Sequence, residues 1–266
     1  MQFALVSRLE LDHLNSLFEA ACAARAIPFA MICAGQAALA PLAPASAGRM
    51  LYCAAADRAS VLLEKLLFTD GTAALHDPHF ICDHPEILFR QRGLPTPRTV
   101  FAPAPDDAGL LRQVEWLGGW PVVVKQPGLE GGRGVALAHT LTALKSIPPG
   151  ALIQAFIPHQ RSWRVTVLGD QALASTAMRP PTGDFRANAP GFSIDAAAAV
   201  PAGLEALAIS AVAALRLDFG GVDIIEREDG ALALCEVNFP CAFDFQQQAN
   251  GVDIAGAIVE YLARKL

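Results

Sequence analysis

The sequence predicts a mixed α/β chain, with a small parallel-sheet lobe first and further strands and helices in an α+β arrangement after it. Three observations carry this expectation. Short β-type runs alternate with helically spaced apolar runs up to about residue 80. The texture then changes, and a glycine-rich loop separates two short apolar strands. Finally, Gly169-Asp170 and Asp229-Gly230 are turn signals that fold later strands into hairpins.

Taken in order, Phe3–Val6 is a first strand. Residues 10–25 carry Leu11, Leu14, Leu17, Phe18 and Ala21 at helical spacing. Pro28–Cys33 and Met50–Cys53 read as strands around a Pro/Ala/Ser/Gly-rich loop, and 60–68 as a helix. Residues 85–92 form a short helix stopped by Gly93-Leu94-Pro95, because glycine caps and proline cannot continue. Strand Thr99–Ala102, helix 107–117 and strand Val122–Lys125 follow. After the glycine loop come strands Val135–Ala138 and Leu152–Ile157. The hairpin Trp163–Leu168 and Ala172–Met178 leads to a polar loop at 180–193 and a helix at 203–216. Strands Val222–Ile225 and Ala231–Val237 and an amphipathic helix at 252–264 complete the pattern. The expected division is an N-terminal α/β lobe at 1–82, a small lobe with the glycine loop at 83–157, and a C-terminal lobe at 158–266.

Composition narrows the function classes. A net charge of −6, with no run of Lys or Arg, argues against nucleic acid as a partner. No apolar stretch is long enough for a membrane span, and the first residues lack a basic region followed by a long apolar one. Cys22, Cys33, Cys53, Cys82, Cys235 and Cys241 form no CxxC pair and read as reduced, buried thiols of a cytoplasmic protein, against a metal or redox role. His76, His79 and His84, with Asp77 and Asp83, match no tight metal template and read as a solvated loop.

Three constellations could carry chemistry. Lys125 ends the buried-type run Val122-Val123-Val124 and precedes the loop Gly128-Leu129-Glu130-Gly131-Gly132-Arg133-Gly134. Such a loop can bring backbone N–H groups close to phosphate oxygens, with the lysine as a point charge, although a plain hairpin loop shares its composition. Asp223 lies on one predicted strand, and Glu236 and Asn238 lie at i and i+2 on the next. A hairpin register sets the three oxygen donors side by side. Carboxylates among apolar strand residues are costly unless paired or metal-bound, so a Mg²⁺ site is favoured over a polar sheet face. Arg164, Arg179, Arg186 and Asn188 form a third group able to neutralise phosphate and acyl-phosphate charge.

The order of these features resembles the ATP-grasp superfamily, and within it the RimK-type α-L-glutamate ligases. The motifs run Pro-Val-Val-Val-Lys, the glycine loop, Leu-Ile-Gln-Ala-Phe-Ile, Trp-Arg-Val-Thr-Val-Leu-Gly-Asp, Gly-Asp-Phe-Arg-Ala-Asn, Gly-Val-Asp-Ile and Cys-Glu-Val-Asn. The resemblance is clear from about residue 84 onward, and covers the earlier part only as a general pre-ATP-grasp lobe. It implies an ATP-grasp fold with two lobes clasping ATP, and Mg²⁺ as the ion, with Mn²⁺ as its alternative. It implies that Lys125 contacts the α- and β-phosphates and that the loop with Gly131, Gly132 and Gly134 closes over the triphosphate. Gln154, Ala155, Phe156 and Ile157 would form the adenine hinge, Ser162 would stand near the ribose, and Arg164, Arg186 and Asn188 would reach the nucleotide. Arg179 would stand near the acyl phosphate as a catalytic residue with Lys125, and Asp223, Glu236 and Asn238 would hold the metal.

The resemblance further implies amide formation between a carboxylate and an amine, with glutamate as the expected amine and a small molecule, cofactor or peptide as its counterpart. Departures exist. Ala155 replaces a hinge Glu, Ser162 an Asp, and His84 a Lys, and these motivate a competing reading as a nucleotide binder without ligase chemistry. Asn238-Phe239-Pro240-Cys241-Ala242-Phe243-Asp244-Phe245 replaces the family's Asn-x-Ser-Pro-Gly, which points to a different acceptor.

Overall fold

The computed structural model describes residues 1–8, 11–34, 48–80, 82, 84–126, 133–186 and 189–266. The first part comprises β1 (Gln2–Ser7), α1 (Asp12–Ala24), β2 (Phe29–Cys33), β3 (Arg49–Cys53), α2 (Arg58–Leu67) and β4 (Thr72–Ala73). These strands form a parallel sheet in the order β2-β1-β3-β4. Strand alternation sends Phe3, Leu5, Met50 and Tyr52 to one face and Ala4, Val6, Leu51 and Cys53 to the other. The second face packs on Leu63 and Leu67 of α2. Asp57 caps that helix by accepting from the N–H groups of Ala59 and Ser60.

Next come α3 (Pro85–Gln91), β5 (Thr99–Val100), α4 (Asp107–Leu117), β6 (Val122–Lys125), β7 (Val135–Ala138), α5 (Leu141–Lys145) and β8 (Leu152–Ala155). Their strands pair antiparallel in the order β5-β8-β6-β7. Leu110, Val114 and Leu117 of α4 pack on Val122 and Val124 of β6 and Ile153 of β8. The strand expected over Thr99–Ala102 stops at Val100. The Gln113 side chain takes the Ala102 carbonyl and the Ala104 N–H, so that backbone bonds to a helix instead of a neighbouring strand.

The remainder comprises β9 (Arg161–Leu168), β10 (Gln171–Arg179), β11 (Ser193–Ile194), α6 (Leu204–Ala214), β12 (Phe219–Glu226), β13 (Leu232–Asn238), α7 (Asp244–Asn250) and α8 (Ile254–Arg264). The antiparallel sheet runs β11-β10-β9-β12-β13. Helix α6 covers one face through Ala208, Ala211 and Val212 against Val165, Val167 and Val222. Helix α8 returns to the first sheet, where Ile258, Val259 and Leu262 join Phe18 and Tyr52 in one core. Arg25 at the end of α1 bonds Asp253 and Glu260 beside and on α8.

The structure adds four elements to the sequence reading: β4, β11, α5 and α7. Among the described residues no cysteine forms a disulfide; Cys22, Cys53 and Cys241 are buried and the other three half-buried. His76 corrects the expectation of a solvated loop. Its ring is largely enclosed beside Glu64, whereas His79 and His84 are exposed. Among the described residues, no helix is long and apolar enough to cross a membrane.

Candidate active site

A cleft lies between the small antiparallel sheet and the five-stranded one. Val123 and Lys125 come from β6 and Val135 from β7. Met178 of β10, Asp223 and Ile225 of β12, and Cys235 and Glu236 of β13 line the opposing side. Apolar side chains from both sheets thus face a slot suited to a flat ring, with charged groups at Lys125, Asp223 and Glu236.

The acidic set is built by the hairpin of β12 and β13. Asp223 pairs with Glu236, and Gly221 with Asn238. The register then slips, because Ile224 pairs with Leu234 and Cys235 is the extra residue of a bulge. Regular alternation would send Cys235 away from Glu236, but at the bulge both line the cleft. The Cys235 carbonyl accepts from the Lys125 ammonium at 3.4 Å. Burial pushes the Cys235 thiol up to about 12, so it is not a nucleophile at neutral pH.

Asn238 donates to Asp223 at 3.2 Å and to Glu236 at 3.1 Å, so all three polar heads meet. Burial raises the Glu236 carboxyl, and the charge of Asp223 raises it further. A divalent cation would relieve that crowding, and Mg²⁺ is commonly held by one or two carboxylates plus substrate phosphates. The residues present therefore fit the ion. The set is two carboxylates and an amide; among the described residues no group of three His, Cys, Asp or Glu could hold a metal.

Arg164 on β9 binds Asp223 with both ends of its fork, at 2.5 and 2.9 Å. Burial alone would lower the Arg164 pKa, but the charge of Asp223 and its hydrogen bonds more than offset this and raise it. Arg164, expected at the nucleotide, is paired here with Asp223. Gly221 makes this approach possible: a Cβ there would stand 3.0 Å from the Cys241 Cβ and 3.2 Å from the Arg164 Cδ. The other arginines are also paired. Arg179 binds Asp195 at 2.7 Å and does not line the cleft, and Arg186 lines the cleft while binding Asp184 at 2.7 Å. That hydrogen bond from Arg186 holds the Asp184 carboxyl at about 2.

At the hinge, Gln154, Ala155 and Ile157 line the cleft, together with Ser162. The Gln154 side chain is buried and donates to Thr99, so only its backbone faces a ligand. Phe156 turns to the other side of the hinge, its ring edge-on to Phe185 at 5.9 Å. The Gly134 carbonyl accepts from Gln126 at 2.8 Å, closing the base of the glycine loop. Gly131, Gly132 and Asn188 lie outside the described residues. Sequence reading missed His159, whose Nδ1 lies 2.7 Å from the Ile157 carbonyl and whose ring lines the cleft. Its place two residues beyond the hinge was the available signal. It also missed Gln246 on α7, which is fully buried, accepts from Thr166 and donates to the Arg164 carbonyl at 3.0 Å.

Comparison with known proteins accords with this geometry. The family described as RimK-like ATP-grasp domain matches residues 84–262. A protein of Parasynechococcus marenigrum named probable alpha-L-glutamate ligase is 36% identical over 190 residues, covering 67% of this chain and 40% of that protein. A protein of the same name from Legionella pneumophila strain Corby is 32% identical over 189 residues, covering 67% of this chain and 61% of the relative. The chain thus spans 40% to 61% of these relatives' length. Among solved structures, the ATP-grasp ligase PsnB complexed with a minimal precursor has a TM-score of 0.74 at 18% identity, with 100% of both chains covered. The macrocyclase MdnC from Microcystis aeruginosa MRC, bound with precursor peptide MdnA, has a TM-score of 0.76 at 15% identity, again over 100% of both. The fold is that of the ATP-grasp ligases, and the chain belongs to the RimK-like ATP-grasp family.

Proposed function

We propose that this chain is an ATP-dependent carboxylate–amine ligase that forms an amide through an acyl phosphate. The observation that carries the reading is the meeting of Lys125, Asp223 and Glu236 in one cleft between two antiparallel sheets. The glutamate-ligase names of its relatives support glutamate as the amine. The counterpart is a small molecule, a cofactor or a peptide, the last favoured by the precursor peptides bound to PsnB and MdnC. The three sheets are read as three working lobes divided at residues 82 and 157.

In this mechanism Lys125 holds the ATP phosphates, and the glycine loop with Gly134 at its base covers them. Ala155 and Ile157 hold the adenine through backbone groups, between Val123 and Val135 on one side and Met178 and Ile225 on the other. Asp223, Glu236 and Asn238 hold Mg²⁺, which when bound neutralises phosphate charge. The substrate carboxylate attacks the γ-phosphorus and releases ADP. The amine then displaces phosphate, giving the amide and a proton. Arg179 and Arg186 would neutralise the acyl phosphate once turned from their aspartates. Catalysis is positioning and charge neutralisation, with no covalent enzyme intermediate.

A thermal-shift titration with ATP and Mg²⁺, run beside an ADP-release assay over carboxylates with glutamate as amine, tests this. Nucleotide-dependent stabilisation with ADP release and a matching amide mass is expected. Tight binding without turnover on any pair would favour a non-catalytic nucleotide binder.

A further inference from the structure

A second pocket lies at the carboxyl ends of β3 and β4, where open parallel sheets bind ligands. Cys53 and Ala55 line it from the end of β3, His76 from the segment after β4, and Glu64 from α2. The opposite wall is Val237, Phe239 and Pro240, which flank Asn238. Nothing in the nucleotide cleft uses Glu64 or His76.

Three features mark the pocket as built for a ligand. First, Glu64 is only 4% exposed, and its carboxyl makes no hydrogen bond among the described residues. Its nearest partner is His76 Nε2 at 3.7 Å, too far for a hydrogen bond. Burial raises the Glu64 carboxyl to about 7 and lowers His76 to about 4, so the two do not form a strong ion pair. Second, His76 Nδ1 is a buried side-chain atom without a hydrogen-bond partner among the described residues, and the His76 ring stands 4.5 Å from that of Phe239 on the pocket wall. A buried orphan is rare and calls for a cause. Third, the rest of the wall is largely apolar, with Val61, Phe80 and Leu217 beside Phe239. An anion would meet a carboxyl at the base, and no three-ligand metal cluster exists here among the described residues. A cationic nitrogen on an apolar body satisfies both the acid and the wall.

We propose that this pocket binds a small primary amine as its ammonium, held by Glu64, with its apolar body against Phe239, Val61 and Leu217. The ligand is an effector acting on the Phe239-Pro240 segment next to Asn238, distinct from the glutamate of the proposed reaction, whose carboxylates this pocket would repel. Its binding does not depend on the ligase reading.

The test is calorimetric titration of the full chain with benzylamine and isopentylamine, and with benzyl alcohol and 3-methylbutan-1-ol as uncharged counterparts. The amines should bind wild type at least about tenfold more tightly than the alcohols, and Glu64→Gln should remove about tenfold of that affinity while sparing the alcohols. Val61→Phe, which fills the pocket and leaves the acid in place, should block all four compounds. Melting curves and retained ATP binding establish that both variants are folded. Adding ATP, Mg²⁺ and a carboxylate panel tests the effector role. An unmodified amine that shifts ATP affinity supports it, and an amide of the bound amine overturns it. Amines that bind no better than alcohols, or undiminished binding in folded Glu64→Gln, overturn the proposal.

Discussion

The Lys125 ammonium reaches across the cleft to the carbonyl of Cys235, 3.4 Å away, and so ties the small sheet to the bulge beside Glu236. A nucleotide phosphate offers that ammonium a charged acceptor in place of a neutral one. Lys125→Met is therefore expected to weaken ATP binding by about tenfold or more while leaving the melting temperature of the free protein nearly unchanged. Calorimetry with ATP and Mg²⁺ checks this, and equal affinity in the variant would remove Lys125 from the site.

Asp223 and Glu236 should separate on substitution. Asp223 accepts both arms of buried Arg164, whereas no arginine binds Glu236 among the described residues. Asp223→Asn breaks a buried ion pair, which costs about 3–5 kcal/mol, and is expected to lose stability as well as Mg²⁺-dependent activity. Glu236→Gln should lose the Mg²⁺ dependence and keep the fold. Denaturant melts paired with Mg²⁺ titrations read both, and equal destabilisation would contradict the assignment of Arg164 to Asp223.

Gln246 offers a test of the polar network under the sheet. Its amide donates to the Arg164 carbonyl and to Thr176, and its oxygen accepts from Thr166. Gln246→Leu should cost on the order of 1–3 kcal/mol for each polar group left unsatisfied. Urea unfolding measures it, and a loss below about 1 kcal/mol would mean that water or a rotamer change replaces the amide.

The pair at the second pocket makes opposite contributions to pH dependence. Folded Glu64 titrates near 7 rather than 4.5, so the native state holds the extra proton and stability falls as pH rises between those values. Folded His76 titrates near 4 rather than 6.5, so the unfolded chain holds the extra proton and stability rises with pH between those values. The two slopes largely cancel in the wild type. Relative to wild type, Glu64→Gln should become more stable as pH rises from 4.5 to 7, and His76→Asn less stable as pH rises from 4 to 6.5. Parallel curves for wild type and variants would show that neither group is shifted.

Much of this was legible in sequence where the signal is local. Asp229-Gly230 marks the turn between β12 and β13, so the nearness of Asp223 and Glu236 across one hairpin was legible, although their direct pairing depends on the bulge. Cys235 escaped because a bulge breaks the period-two alternation that counting assumes. Helix α7 escaped because it follows a proline and reads as a polar loop, although Gln246 is turned wholly inward. Arg164 read as a free cation because its partner lies 59 residues away, on a strand brought beside it only by the sheet. Nothing near Glu64 in sequence announces Phe239 or His76 as its neighbours.

The return of α8 to the first sheet also sets an order of events in synthesis. Phe18 and Tyr52 share one core with Phe243, Ile258 and Leu262, which are translated after both antiparallel sheets. Helix α1 covers part of that face of the parallel sheet through Leu14, Phe18 and Ala21, and the rest closes only when residues 254–264 have left the ribosome. This lobe begins before the two antiparallel sheets and is finished after them. A chain stalled before Ile254 should expose that sheet to proteases and chaperones, with the five-stranded sheet already paired beside it.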